Sequence, residues 1–210
     1  MRSWIQLFSY GTTTTIFFPI FTTLLANNTH LKGLSDAQGK VTGKDYNIVL
    51  SNNSPKEYAD IFSRDPSDPT LKAILSYDVI AFKNCYPTTR IISDQQLEED
   101  IKYYIIIRDN LRKYPAKQFI LLTPPPARRE TTKIEDAKRA MKLVAWLNSS
   151  DFLQGVPNIH VFDFFGLLAD KNGMLKKEYQ RLLPWDSHPN KKANLTVAPL
   201  FADYLVKLTN

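Results

Sequence analysis

Five short apolar runs recur along the chain, at residues 4–8, 46–50, 79–82, 119–123 and 159–162. Most are continuously hydrophobic rather than alternating, as expected of strands covered on both faces in a parallel sheet. Helical periodicity fills the stretches between them. Ser93-Asp94-Gln95-Gln96 reads as a capping box, with Ser93 as N-cap and Gln96 reaching back. Behind it Leu97, Ile101, Tyr104, Ile105, Arg108 and Leu111 follow helical spacing as far as Pro115. Ile134, Ala137, Met141, Val144 and Ala145 predict a second amphipathic helix ending near Asn148. Asn190 is placed to cap a final helix running towards Leu208, which Pro199 is expected to kink or interrupt. Strands alternating with helices predict an α/β domain: a three-layer α/β/α sandwich around a mainly parallel sheet of about five strands, joined by right-handed crossovers. Ligands of such sheets bind beyond the carboxyl ends of the strands.

Composition narrows this picture only modestly. A length of 210 residues suits a single domain over 1–210 with a substantial core. Hydrophobic residues at 43% and charged residues at 23% are ordinary globular usage. The one cysteine, Cys85, excludes an internal disulfide framework and a cysteine-rich zinc site. A net charge of +6 favours contact with polyanions. The basic residues are nonetheless scattered. Lys102, Arg108, Arg112, Lys113 and Lys142 fall mostly on polar helix faces, and pairs such as Arg128-Arg129, Lys138-Arg139, Lys176-Lys177 and Lys191-Lys192 lie far apart in sequence. A solvated surface is the expectation, with no specific nucleic-acid partner.

The N-terminal stretch "MRSWIQLFSYGTTTTIFFPIFTTLLANN" is interrupted by Ser9, Tyr10, Gly11, four threonines and Pro19. Neither apolar half is long enough to span a bilayer. It reads as strand, loop and helix belonging to the fold, with a cleaved secretory leader as the alternative. The compartment stays open, with the cytoplasm favoured over secretion, and the sequence leaves the oligomeric state undecided.

Chemistry-bearing residues follow the predicted strand ends: "SYGTTTT", "SNNSP", "KNCYP" and "PPPARR". The loop "WDSHPN" then precedes the last helix and carries one of the three histidines of the chain. Hydroxyls, amides and a His–Asp pair converging on one sheet edge suit acyl transfer. That chemistry needs a nucleophile, a base, a group orienting the base and donors for the oxyanion.

Here a resemblance enters. "DSHPNKKAN" ahead of a helix resembles the C-terminal block of the SGNH/GDSL hydrolase superfamily, in which an acid closely precedes the catalytic histidine. "DVIAFKNCYP" is similar to that superfamily's central strand and oxyanion asparagine, while "FILLTPPP" and "HVFDFFGLLAD" resemble its two later strands. The resemblance covers much of residues 75–208. It implies a flavodoxin-like α/β/α fold and hydrolysis of an ester or similarly activated acyl bond, on a small-molecule or carbohydrate ester, without metal or cofactor. It implies Ser9 as nucleophile, His188 as general base, Asp186 as the group orienting it, and Asn84 with backbone amides around Gly11 as oxyanion donors. Thr12 is the reserve hydroxyl, although its methyl group restricts χ1 and crowds attack at a carbonyl.

The chain departs from the superfamily's pattern in three places. Leu7-Phe8 stands where Gly-Asp would precede the serine. No glycine follows the second strand, since "YNIVLSNNSP" has none and Gly43 lies before it. The acid is one residue closer to the histidine than usual, Asp186-Ser187-His188, with Trp185 at the customary acid position; Asp163 is a distant alternative. Other residues have structural expectations. Thr12 to Thr15 cap the following helix. The prolines after Thr123 fix a rigid loop lining a cleft. Cys85 is a buried small residue rather than a nucleophile, because no histidine is near it in sequence. Asn27, Asn52, Asn148 and Asn194 match the glycosylation pattern N-x-S/T. The alternative function is an SGNH-like binding or interaction module that has kept the cleft and lost catalysis.

Overall fold

A computed structural model describes residues 5–8 and 54–209. The expected strand at 46–50 and the site residues Ser9, Gly11 and Thr12 lie outside the described residues, as do Asn27 and Asn52. Within them the chain is α/β. Four strands, β1 (Ile5–Phe8), β2 (Val79–Lys83), β3 (Gln118–Leu122) and β4 (Ile159–Phe162), form one sheet in the order β1-β2-β3-β4. All neighbours run parallel, with Phe8 paired to Phe82, Phe82 to Leu121 and Leu121 to Val161. Strand β2 is interior, and β1 ends the described order.

Parallel neighbours cannot be joined by tight turns, so helices cross between them. Helices α1 (Pro55–Phe62) and α2 (Pro69–Leu75) precede β2. Helix α3 (Asp94–Leu111) links β2 to β3, and α4 (Ile134–Leu147) with the one-turn α5 (Ser150–Leu153) links β3 to β4. The short α6 (Phe164–Leu168) and the long α7 (Lys191–Thr209) follow β4.

Strands β2, β3 and β4 divide their side chains between two cores. Ile80, Phe82, Phe119, Leu121 and Ile159 point to one face, where Tyr58, Phe62, Tyr104, Leu143 and Leu147 from α1, α3 and α4 cover them. Val79, Ala81, Ile120, Leu122 and Phe162 point to the other, beneath Leu168 of α6 and Val197, Phe201 and Leu205 of α7. Each such apolar side chain contributes about 1.5–3 kcal/mol by leaving water, which is why both faces of the strand sequences are hydrophobic. Aromatic rings lock the first core: Phe82 meets Tyr58 and Phe62 at centroid separations of 5.2 Å each.

Several local expectations shift. Ser93 caps α3, accepting from the Gln96 N–H at 3.1 Å, but the Gln96 side chain accepts from the Ile92 N–H rather than that of Ser93. The buried stripe of α3 is Tyr104, Ile107, Arg108 and Leu111, so Ile107 takes the place expected of Ile105. Arg108 is therefore not on a polar face: its guanidinium is buried and donates to the Phe152 carbonyl at 3.0 Å. In α4 the stripe is Ala137, Ala140, Leu143, Val144 and Leu147, leaving Ile134 and Met141 exposed. Met141 lies instead beside Gly173, whose φ of +76° and closeness to Met141 leave no room for a side chain. Asn190 caps α7 as expected, its Oδ1 accepting from the Ala193 N–H at 3.1 Å. Pro199 does not interrupt that helix. Val197, Ala198, Phe201 and Leu205 anchor its inner face while Pro199 stays exposed, and this burial offsets the lost backbone hydrogen bond. Asn194 is fully buried, so the glycosylation pattern there has no accessible acceptor. No helix among the described residues is long and apolar enough to cross a membrane.

Candidate functional site

Because the strands are parallel, their carboxyl ends share one edge, and β1 in register with β2 brings Phe8 to it as well. What each strand delivers there follows from the next few residues. After β2 come Asn84 and Cys85. Helices from the first core hold this corner: Tyr58 donates its hydroxyl to the Lys83 carbonyl at 2.9 Å, and Tyr104 donates to Asn84 Oδ1 at 2.5 Å. Asn84 is fully buried, and Tyr104 fixes which end of its amide is the acceptor.

After β3 come Thr123 and three buried prolines, a rigid run that carries the chain to Arg128. The Pro125 carbonyl accepts from the Thr89 hydroxyl at 3.1 Å, tying this loop to the one after β2. Arg128, expected on a solvated surface, is 6% exposed. Its guanidinium donates to the carbonyls of Leu183 at 2.6 Å and Arg181 at 3.2 Å, and to Gln180 Oε1 at 3.1 Å. Its backbone N–H donates to Ser187 Oγ at 3.1 Å, and Ser187 also bonds the Thr131 hydroxyl at 2.8 Å. One buried cation thus gathers the whole approach to the histidine. From the other side, Asn190 donates to the carbonyls of Glu178 and Gln180, each at 2.9 Å.

Between these two clamps lies the Asp186-Ser187-His188 turn. Asp186 Oδ1 accepts from the His188 backbone N–H at 2.9 Å, the aspartate turn in which a side chain bonds the N–H two residues on. The same oxygen faces His188 Nδ1 at 2.6 Å. The short spacing is therefore sufficient: the turn folds the carboxylate back onto the ring without the extra residue. Arg181 donates to the second oxygen of Asp186 at 3.2 Å. Trp185, at the customary acid position, is 67% exposed. Asp163 serves elsewhere, capping α6 through the Gly166 N–H at 2.9 Å and accepting from Thr123.

A carboxylate on Nδ1 selects the tautomer with the proton there, leaving Nε2 as the acceptor of the neutral ring. Nε2 lies 3.8 Å from the Cys85 sulfur, and Tyr86 packs edge-on against the ring at 4.8 Å between centroids. Cys85, expected to be a buried small residue because no histidine is near it in sequence, is only partly buried and faces His188 in space. Asn84 and His188 come to the same corner, since Asn84 immediately precedes Cys85. The electrostatics follow the contacts. Hydrogen bonding to Cys85 is the largest influence raising the His188 pKa; burial opposes it and Asp186 reinforces it. Burial pushes the Asp186 carboxyl up, but hydrogen bonds from His188 and the charges of His188 and Arg181 outweigh it and hold the pKa low. Burial likewise opposes ionisation of Cys85, yet the bond to His188 and the charge of Lys83 bring its thiol below the ordinary value.

Among the described residues, no group of three or more His, Cys, Asp or Glu side chains could hold a metal ion. Asp186, His188 and Cys85 form a carboxylate–imidazole–thiol line, with the fully buried Asn84 preceding Cys85 in the chain. Cys85, Arg128 and Tyr104 are the participants that sequence patterns did not reveal. The one signal for Cys85 was its position next to Asn84 at a strand end. No family model, curated protein or solved structure matches the chain.

Proposed function

We propose that the chain is an acyl hydrolase of the SGNH type, acting on an ester or a similarly activated acyl bond. The observation that carries this reading is the Asp186–His188 contact at 2.6 Å, with Nε2 turned towards the corner that holds Asn84 and Cys85. In it, Asp186 fixes the ring and stabilises the imidazolium formed when Nε2 takes a proton. The Asn84 amide, with backbone amides of the Ser9–Gly11 turn, supplies donors where negative charge develops on the carbonyl oxygen. The sequence offers Ser9 as nucleophile, since β1 ends at Phe8 on this edge, with Thr12 in reserve. The reading also requires a fifth strand, for which residues 46–50 are the candidate, and a small-molecule or carbohydrate ester as substrate.

Short-chain nitrophenyl esters test it. The wild type is expected to hydrolyse them, and His188→Ala to lose roughly a thousandfold or more in kcat. Asp186→Asn is expected to lose activity by a comparable factor, because the ring then loses the partner that sets its tautomer. Wild-type protein without esterase activity towards these esters, or a His188→Ala variant as fast as wild type, would favour the non-catalytic binding module.

A further inference from the structure

We infer that Cys85 is the group that accepts the acyl chain at this site, taking the place assigned to Ser9. The inference deepens the hydrolase reading and rests on it. It starts from a contact between residues 103 positions apart: Cys85 Sγ stands 3.8 Å from His188 Nε2, within the reach of a sulfur hydrogen bond. The nitrogen facing the thiol is the one that Asp186 leaves unprotonated by taking Nδ1–H. Nucleophile, base and orienting acid are therefore in line, the arrangement that activates a thiol by proton transfer. Cys85 is partly buried rather than fully enclosed. In the chain it directly follows the buried Asn84.

The chemistry balances without any further reagent. Cys85 Sγ gives its proton to His188 Nε2 and attacks the carbonyl carbon. An S–C bond forms and the carbonyl π pair moves to oxygen. When that pair returns, the C–O bond breaks and the departing alcohol takes the proton from Nε2. Water then attacks the thioester, losing a proton to Nε2. The S–C bond breaks with its pair going to sulfur, which takes the proton back from Nε2, releasing the carboxylic acid and restoring the thiol and the neutral ring.

Two measurements test this, and both are simplified because Cys85 is the only cysteine of the chain. The first is the rate of iodoacetamide alkylation against pH, which needs no turnover. Wild type is expected to alkylate well below the ordinary thiol range of about 8.5, and His188→Ala to slow the rate at pH 6.5 about tenfold or more. An ordinary thiol profile, indifferent to His188→Ala, would overturn the assignment. The second is nitrophenyl acetate hydrolysis, with acid-quenched protein analysed by mass for the acetylated residue. Acetyl bound to Cys85 as a hydroxylamine-labile thioester, and a thousandfold or greater loss of turnover in a folded Cys85→Ala variant, are expected. Acetyl on Ser9, or undiminished turnover in Cys85→Ala, would remove Cys85 from the mechanism while leaving the hydrolase intact. No turnover and no acetyl adduct in wild type would end both readings.

Discussion

Asp186 makes two bonds with one oxygen, and this determines what the histidine can do. Holding both the N–H and the ring of His188 fixes the carboxylate in place, and burial, which pushes its pKa up, is outweighed by the bonds from His188 and the charges of His188 and Arg181. A raised His188 pKa means that the folded state binds the imidazolium more tightly than the unfolded chain does. The stability this contributes is present below the unfolded value of about 6.5 and is lost as pH rises through the higher folded value. Asp186 has the opposite sign: its contribution is present above the unfolded carboxylate value and is lost as pH falls through the lowered one. Proton NMR separates these effects from catalysis. The His188 ring is expected to titrate above the ordinary range, while His160, whose pKa is lowered by burial, titrates below it. Cys85→Ala should bring the His188 midpoint down, because the thiol contact is the largest influence raising it. A His188 midpoint unmoved by Cys85→Ala would mean that thiol and ring do not interact in solution.

The loop that carries this pair has little regular structure of its own, and its order is imported by Arg128. A cation 6% exposed, paired with Glu130 and bonded to two carbonyls and an amide oxygen of the segment before His188, deprives these part-buried groups of their donor when removed. Hydrogen bonds to charged groups are worth about 1.5–3 kcal/mol each, with part recovered by water on removal. Arg128→Ala is expected to cost about 2–3 kcal/mol in denaturant unfolding and to broaden or shift the His188 titration. Loss of less than about 0.5 kcal/mol would make Arg128 an ordinary surface residue. The contrast with Asp186 shows what the sequence could and could not reveal. The Asp–His pairing closes over two residues, so a local pattern exposes it, and the caps Ser93 and Asn190 are legible for the same reason. Arg128 reaches its partners across 52 to 55 residues and Cys85 meets His188 across 103, distances at which only the fold brings side chains together. Periodicity located α3 and α4 but missed part of each stripe; in α4, Met141 lies beside Gly173, a neighbour that no helical pattern encodes.

The two cores share a single sheet, and at the scale of the whole molecule this sharing governs stability. Adjacent residues of β2 and β3 face opposite layers: Ile80 and Phe119 lie under α1, α3 and α4, whereas Ala81 and Ile120 lie under α6 and α7. Neither layer of helices can leave without exposing β2 and β3, so the layers should unfold together. The same geometry explains why the apolar runs of β2 and β3 are the most legible features of the sequence: burial on both faces removes the polar alternation that would otherwise blur a strand with a helix edge. Phe119→Ala and Ile120→Ala test the coupling from opposite sides. Each removes a fully buried side chain, and losses of about 3–5 and 2–5 kcal/mol respectively are expected. Both should shift one common denaturant transition, followed in parallel by tryptophan fluorescence, to which Trp146 against the first core contributes, and by far-ultraviolet circular dichroism. Two separated transitions, with Ile120→Ala moving only one of them, would show that α6 and α7 form a layer that melts on its own. The carboxylate–imidazole–thiol line would then be a locally opening site rather than one held by the global fold, because its histidine loop is tied to the start of α7 through Asn190.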